Sequence, residues 1–340
     1  MLRPFYLLLA VGMLLVSGCD VSPGKNRPTT SPLTNGLLYV ATPSSILRFS
    51  NALNATGNVT PAATISGGAT MLLSPQHLLI DVVTDRLFVA NQGGASILLF
   101  QNASTITGNT TPNAIITSSS MSAPVDIALD TGFNNFLYVA DGGNILVFAG
   151  QSSLSGTVNT LPVHTISTSL TIGAILLDTA NNRLLIADTS GQGINILDNA
   201  STQTGTAVFT GRIAGPSTQL TQPDGMAFDN SGRLIVSNGG AGIITIYPTS
   251  AIPLGGDVAP MASIIGALTQ LASPGQILMN RTAGTSGELY VSDQLAASVL
   301  TFFDVGGLTL NDNVAPRRQI SGPGTGLNTT ITGMALDATR

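Results

Sequence analysis

Side chains able to do chemistry are scarce in these 340 residues. There is one cysteine, Cys19, and there are two histidines, His77 and His164. All acidic residues are aspartates save Glu288, and Lys25 is the sole lysine. A thiolate is a nucleophile, and an imidazole beside a carboxylate can serve as a general base pair. His77 and Asp126 share a position, since each stands four residues before an aspartate that ends an apolar run, Asp81 and Asp130 respectively. In four comparable runs that position holds Ala174, Gly225, Gln276 and Gly333. His77, Asp126, Gln276 and Asp224, which adjoins Gly225, are therefore the candidate ligand-binding residues. The simpler reading of the same set is a polar, water-filled entrance without catalysis.

Metal chemistry has less support. Two histidines cannot make a three-histidine zinc site. Oxygens of Asp and Asn could hold calcium, but no motif arranges them, and no cofactor is expected. Neither a Gly-x-Ser-x-Gly elbow nor a phosphate-binding glycine loop occurs.

These positions lie about 50 residues apart, so a repeated element has to bring them together. The most regular pattern is an apolar run ending in Ala or Ser, usually followed by Asp or Asn. It reads Leu38-Tyr39-Val40-Ala41, Leu87-Phe88-Val89-Ala90, Leu137-Tyr138-Val139-Ala140, Leu184-Leu185-Ile186-Ala187, Leu234-Ile235-Val236-Ser237 and Leu289-Tyr290-Val291-Ser292. The third residues fall at 40, 89, 139, 186, 236 and 291. Before each run except the first lies a shorter one ending in Asp81, Asp130, Asp178, Asp229 or Asn280. After it come runs such as Ile97-Leu98-Leu99-Phe100, then a segment with a proline followed by isoleucine, as from Pro112 to Ile116. Four short strands per repeat, separated by Gly, Asn and Asp turns, describe a blade of a β-propeller.

The expected fold is all-β, a six-bladed propeller with four-stranded blades. The first unit begins at its second strand, near Leu37, while residues 331–337 read as a first strand. That segment, Ile331 to Asp337, should become the inner strand of blade 1 and close the ring, leaving no open sheet edge. The composition agrees. Charged residues make up 9% of the chain against roughly 25% in typical domains. Thirty-eight glycines and 18 prolines supply turns.

Pro223-Asp224-Gly225-Met226-Ala227-Phe228-Asp229 and Leu137-Tyr138-Val139-Ala140-Asp141 resemble the NHL repeat and its relatives over residues 37–340. The resemblance implies the propeller fold. It leaves function open, because such rings include protein- and RNA-binding modules, and similar six-bladed rings include metal-dependent lactonases and an amidating lyase. The lactonases use a Glu-containing metal site at the start of inner strands, whereas Glu288 precedes a second strand. The aspartates ending the first strands recur in nearly every unit, which marks them as turn-formers. Asn91, Asp141, Asp188, Asn238 and Asp293, after the second strands, read the same way.

Cys19 carries a different chemistry. Met1-Leu2-Arg3 precedes an uncharged stretch from Pro4 to Gly18, the layout of a secretory signal. That stretch is shorter than the ~20 residues needed to span a bilayer. Val16-Ser17-Gly18-Cys19 resembles the lipobox of bacterial lipoproteins. The resemblance implies transfer of a diacylglycerol to the Cys19 thiol, cleavage before Cys19 and acylation of the new amine, palmitate being the usual kind of acyl group. Asp20 resembles the signal that retains enterobacterial lipoproteins at the periplasmic face of the inner membrane. The expected organisation is a signal peptide over 1–18, a lipidated cysteine and linker over 19–36, and the propeller over 37–340. The linker, with Pro23, Pro28 and Pro32, reaches roughly 60 Å when fully extended.

Net charge is −5 with no basic run, which excludes nucleic acid as an electrostatic partner. The expected function is a membrane-anchored, extracytoplasmic, non-catalytic binding or scaffold module for an envelope protein or small ligand. The alternative is a metal-dependent lactonase or hydrolase with its site in the channel.

Overall fold

Runs such as Leu-Tyr-Val-Ala and Leu-Leu-Ile-Ala combine β-branched and aromatic residues without helical spacing, which favours strands. In the computed structural model they form strands, within the described residues 35–132, 134–150, 154–282, 287–327 and 330–340. The chain divides into Met1–Leu33 and Thr34–Arg340. Cys19, Asp20 and the expected signal peptide lie outside the described residues. No helix among the described residues is long and apolar enough to cross a membrane.

The strands assemble into six sheets, each with four antiparallel strands. The inner strands of blades 1 to 6 are Gly333–Asp337, Pro75–Asp81, Pro124–Leu129, Ile172–Asp178, Pro223–Phe228 and Pro274–Asn280. The second strands are Leu37–Thr42, Arg86–Asn91, Leu137–Asp141, Arg183–Asp188, Leu234–Asn238 and Glu288–Asp293, which are the repeated apolar runs. Each inner strand contacts the next, and the inner strand of blade 6 contacts that of blade 1. The protein is a six-bladed β-propeller.

Closure takes the expected route. Gly333–Asp337 pairs antiparallel with Leu37–Thr42, placing Met334 opposite Val40 and Asp337 opposite Leu37. The Gly36 amide also donates to the carbonyl of Arg340. Arg340 reaches Asp85 of blade 2 at 2.9 Å and Asp337 at 2.8 Å.

Apolar packing sits between the blades. A strand's side chains alternate between its two faces, and here both faces are buried. Leu38 and Val40 pack against blade 6, whereas Tyr39 and Ala41 pack against blade 2. Leu137 and Val139 join a cluster with blade 2, and Tyr138 and Ala140 join one with blade 4. The pattern gives six clusters, each shared by two neighbouring blades. Burial on both faces explains why these strands are apolar throughout instead of alternating apolar with polar.

A second set of contacts runs around the rim. The segment before each outer strand laps in parallel onto the outer strand of the preceding blade. In blades 3 and 4 this is a short added strand: Gly156–Asn159 along Ala114–Thr117, and Gly205–Thr206 along Ile166 and Ser167. Elsewhere it is a single bridge, as between Gly57 and Ile320 and between Gly108 and Ile65. There a side chain completes the contact. The Oδ1 atoms of Asn58, Asn109, Asp257 and Asn313 accept the amides of Gly324, Ala69, Ser217 and Leu268 at 2.6 to 2.9 Å. Each amide lies in a 3-10 turn of the preceding blade. The residue before each turn is a glycine with φ from 113° to 133°, a conformation that residues with a Cβ rarely adopt. A Cβ on Gly67 would stand 2.5 Å from Asn109 Oδ1.

Removing residues 331–340 strips blade 1 of its inner strand and exposes two apolar clusters. The truncated chain should lose cooperative thermal unfolding, followed by circular dichroism. A truncated chain that melts like the full-length protein would refute this account of closure.

Candidate functional site

The inner strands enclose an axial cavity of about 550 Å³. His77, Asp126, Asp224 and Gln276 all line it. They come from blades 2, 3, 5 and 6, and all stand near the starts of their inner strands.

The strand-start position is one where neighbouring blades meet. Asp126 is 4% exposed. Its Oδ2 accepts the Ile175 amide of blade 4 at 2.6 Å, and its Oδ1 accepts the Ile127 amide at 2.7 Å. Gln276 Oε1 accepts the Met334 amide of blade 1. His77 Nδ1 lies 2.8 Å from Asp126 Oδ1, within ion-pair reach but out of line for a hydrogen bond. At Gly225 and Gly333 the next blade's backbone itself closes in. A Cβ there would come 2.6 Å from Gly275 O and 2.8 Å from Gln76 O. Asp126, Gly225, Gln276 and Gly333 therefore join one blade to the next, and all but Gly333 also line the cavity.

Asp224 is different. It is half-buried, and its Oδ2 accepts one hydrogen bond, from Gln294 Nε2 of blade 6 at 3.2 Å. Burial first, and then the charge of Asp126, push its carboxyl up to about 6. Gln294 opposes that shift by hydrogen bonding. Blade 4, between Asp126 and Asp224 around the ring, offers the apolar Ile172, Gly173 and Ala174 to this part of the lining. A second recess of about 340 Å³ adjoins the mouth and shares Asp224 and Gln294. Thr189, Ser190, Gln222 and Ser273 also line it.

At the other end of the cavity the wall is a ring of apolar side chains, with Arg281 beside it. The residue before each strand-end Asp or Asn is Ile80, Leu129, Leu177, Phe228, Met279 or Leu336, one per blade. All six are half-buried.

The repeated carboxylates form turns. Asp81 accepts the amides of Val83 and Thr84, Asp229 those of Ser231 and Arg233, and Asp337 that of Thr339. In the second set, Asn91, Asp141, Asn238 and Asp293 accept amides of the loops leading into their own inner strands, such as Leu73, Ser122, Thr221 and Ala272. Asp188 accepts the Gly191 amide. His164 lies in the outer strand His164–Ser167, edge-on to the Phe136 ring. Glu288 is buried with Arg318, Asn280 and Tyr290. Among the described residues no three of His, Cys, Asp and Glu gather closely enough to hold a metal ion.

Sequence reasoning passed over three features. Gln294 follows the last second strand, directly after the turn-forming Asp293. Ser237 and Ser292 replace the usual alanine. Ser237 Oγ accepts the Gly225 amide at 2.8 Å, and Ser292 Oγ donates to Gln276 O at 3.1 Å. The apolar ring was also legible, because the residue before the strand-end Asp or Asn is apolar in all six units.

No family model matches the chain, and no curated protein matches it. Among solved structures, a chain of the nidogen/laminin complex aligns with a TM-score of 0.60 and 16% identity, covering 88% of this chain and 97% of that one. A protein of unknown function from Bacteroides caccae aligns with a TM-score of 0.59 and 10% identity, covering 88% and 98%. A functionally unknown protein from Desulfotomaculum acetoxidans aligns with a TM-score of 0.52 and 16% identity, covering 78% and 75%. At these identities the likeness is one of fold.

The raised Asp224 carboxyl makes a pH prediction. Between about pH 4 and 6 the folded state holds a proton that the unfolded state has released, so this group's contribution favours folding as pH falls through that window. At pH 7.5 the ionised, half-buried Asp224 costs stability. Asp224→Asn should therefore be more stable than the parent at pH 7.5, by on the order of 1–2 kcal/mol. The difference should vanish near pH 4 in thermal or urea unfolding.

Proposed function

We propose that this protein is held by lipid on Cys19 at the extracytoplasmic face of a bacterial membrane, and that its propeller binds a small ligand or a segment of an envelope protein without catalysis. The observation that carries the reading is the axial cavity, with a polar mouth drawn from four blades and a far end ringed by six apolar side chains. Mostly apolar cavities with a few convergent polar groups are the usual form of ligand sites. The nidogen/laminin complex holds a chain of this fold within a protein assembly, which fits a binding role.

One feature favours binding over the lactonase alternative. Asp126 and Gln276 are engaged by backbone amides of neighbouring blades, which suits positioning better than proton transfer. The anchor rests on the lipobox-like Val16-Ser17-Gly18-Cys19, and Asp20 favours the inner membrane's periplasmic face.

Replacing Cys19 with Ser should move the protein from the membrane fraction to the soluble fraction, while the propeller's melting transition persists. Retention of Cys19→Ser in the membrane would refute the lipid anchor. Against a panel of lactones and esters, the purified protein should show no turnover above buffer. Turnover that tracks stoichiometric bound metal and disappears in Asp224→Asn would replace this reading with the hydrolase.

A further inference from the structure

Deepening the small-ligand reading, on which it rests, we propose that the axial cavity takes a ligand with a protonated amine on an apolar body, the ammonium seated at Asp224 and the body along the apolar ring. Asp224 is the one mouth residue of the four whose side chain does not stitch to a neighbouring backbone or to another mouth residue. The described groups that act on its carboxylate are Asp126, by charge, and Gln294, by hydrogen bond. A second carboxylate thus acts on it, fixed in place by two backbone amides; His77, at 2.8 Å, faces Asp126 rather than Asp224.

The arginine that lines the cavity does not compensate. Arg281 follows Asn280, at the opposite end of its strand from Gln276. It donates to the Phe228 carbonyl at 3.2 and 2.9 Å. A cationic ligand group would supply the missing partner, and an ammonium–carboxylate hydrogen bond is stronger than a neutral one. Away from bulk water the attraction is screened less.

The other half of the ligand follows from the far end. Six apolar side chains, one per blade, remain half-buried while lining the cavity. They present apolar surface that an apolar body would cover. From Asp224 to Phe228 is four residues of one strand, about 13 Å. An amine with a chain of six carbons or a single ring fits within that length. A carboxylate ligand would meet like charge at the mouth.

The test is calorimetric titration of the detergent-solubilised full chain at pH 7.5 with EDTA present. The probes are hexylamine, 1-hexanol and hexanoate, each blanked against the same detergent without protein. The alcohol reports the apolar bore, and the difference between amine and alcohol reports the carboxylates. The amine should bind at least about tenfold more tightly than the alcohol, and hexanoate more weakly than either. Asp224→Asn should bring the amine down to the alcohol's affinity while leaving the alcohol unchanged, its fold checked by melting. Equal binding of amine and alcohol would overturn the ammonium assignment and leave the small-ligand reading standing. An amine preference that survives Asp224→Asn would overturn the role of Asp224. Failure of all three probes to bind would take the bore, and the small-ligand reading with it.

Discussion

Every blade of this protein depends on its neighbours for burial. A single four-stranded sheet here has apolar side chains on both faces and nothing within itself to cover them. The six clusters lie between blades, so each sheet contributes to two of them. Tyr39 and Ala41 face one neighbour while Leu38 and Val40 face the other. A strand of this kind is stable only with a sheet on either side, and a row of such sheets has uncovered ends unless it closes. Closure is therefore the condition under which all the buried surface stays buried.

Two devices keep that condition. At the axis, Gly333–Asp337 completes the blade begun by Leu37–Thr42, so the segments farthest apart in sequence share one sheet. At the rim, each blade laps onto the one before it, through added parallel strands in two cases and single bridges with an Asn or Asp latch in four. The latch depends on backbone as much as on side chain, because the glycine that precedes each turn leaves room for the latch to approach. Pairing at the axis completes one blade, and lapping at the rim joins each blade to its neighbour.

The site inherits this geometry. The inner strands converge, so the residues that start them meet across blade boundaries before they meet any ligand. Asp126 and Gln276 serve those boundaries by accepting amides of the next blade. Gly225 and Gly333 serve them by having no side chain. Asp224, one residue earlier in its strand, escapes this demand and faces the cavity as a carboxylate with a single polar contact. The apolar ring below it has the same origin, since a sixfold repeat places one side chain per blade around the axis. Polarity is thus concentrated where the repeat is broken, and apolarity where it is kept.

Much of this was legible in the residues alone. The run ending in Ala or Ser with Asp or Asn, repeated at a spacing near 50, specified the strands. The missing first strand of unit 1, supplied by residues 331–337, specified the closure. Those features are local or periodic, and strand formation and turn chemistry depend mainly on local sequence. Sequence also marked His77, Asp126 and Gln276 as departures from the repeat. It could not assign their duties, because the partners of Asp126 and Gln276 are backbone amides in the next blade, 49 and 58 positions away, and an amide leaves no mark in a sequence. It named Asp224 as a candidate through its place beside Gly225, but could not tell its role from that of Asp126. What distinguishes Asp224 is burial beside a second carboxylate two blades away, and that proximity arises only when six sheets close around one axis.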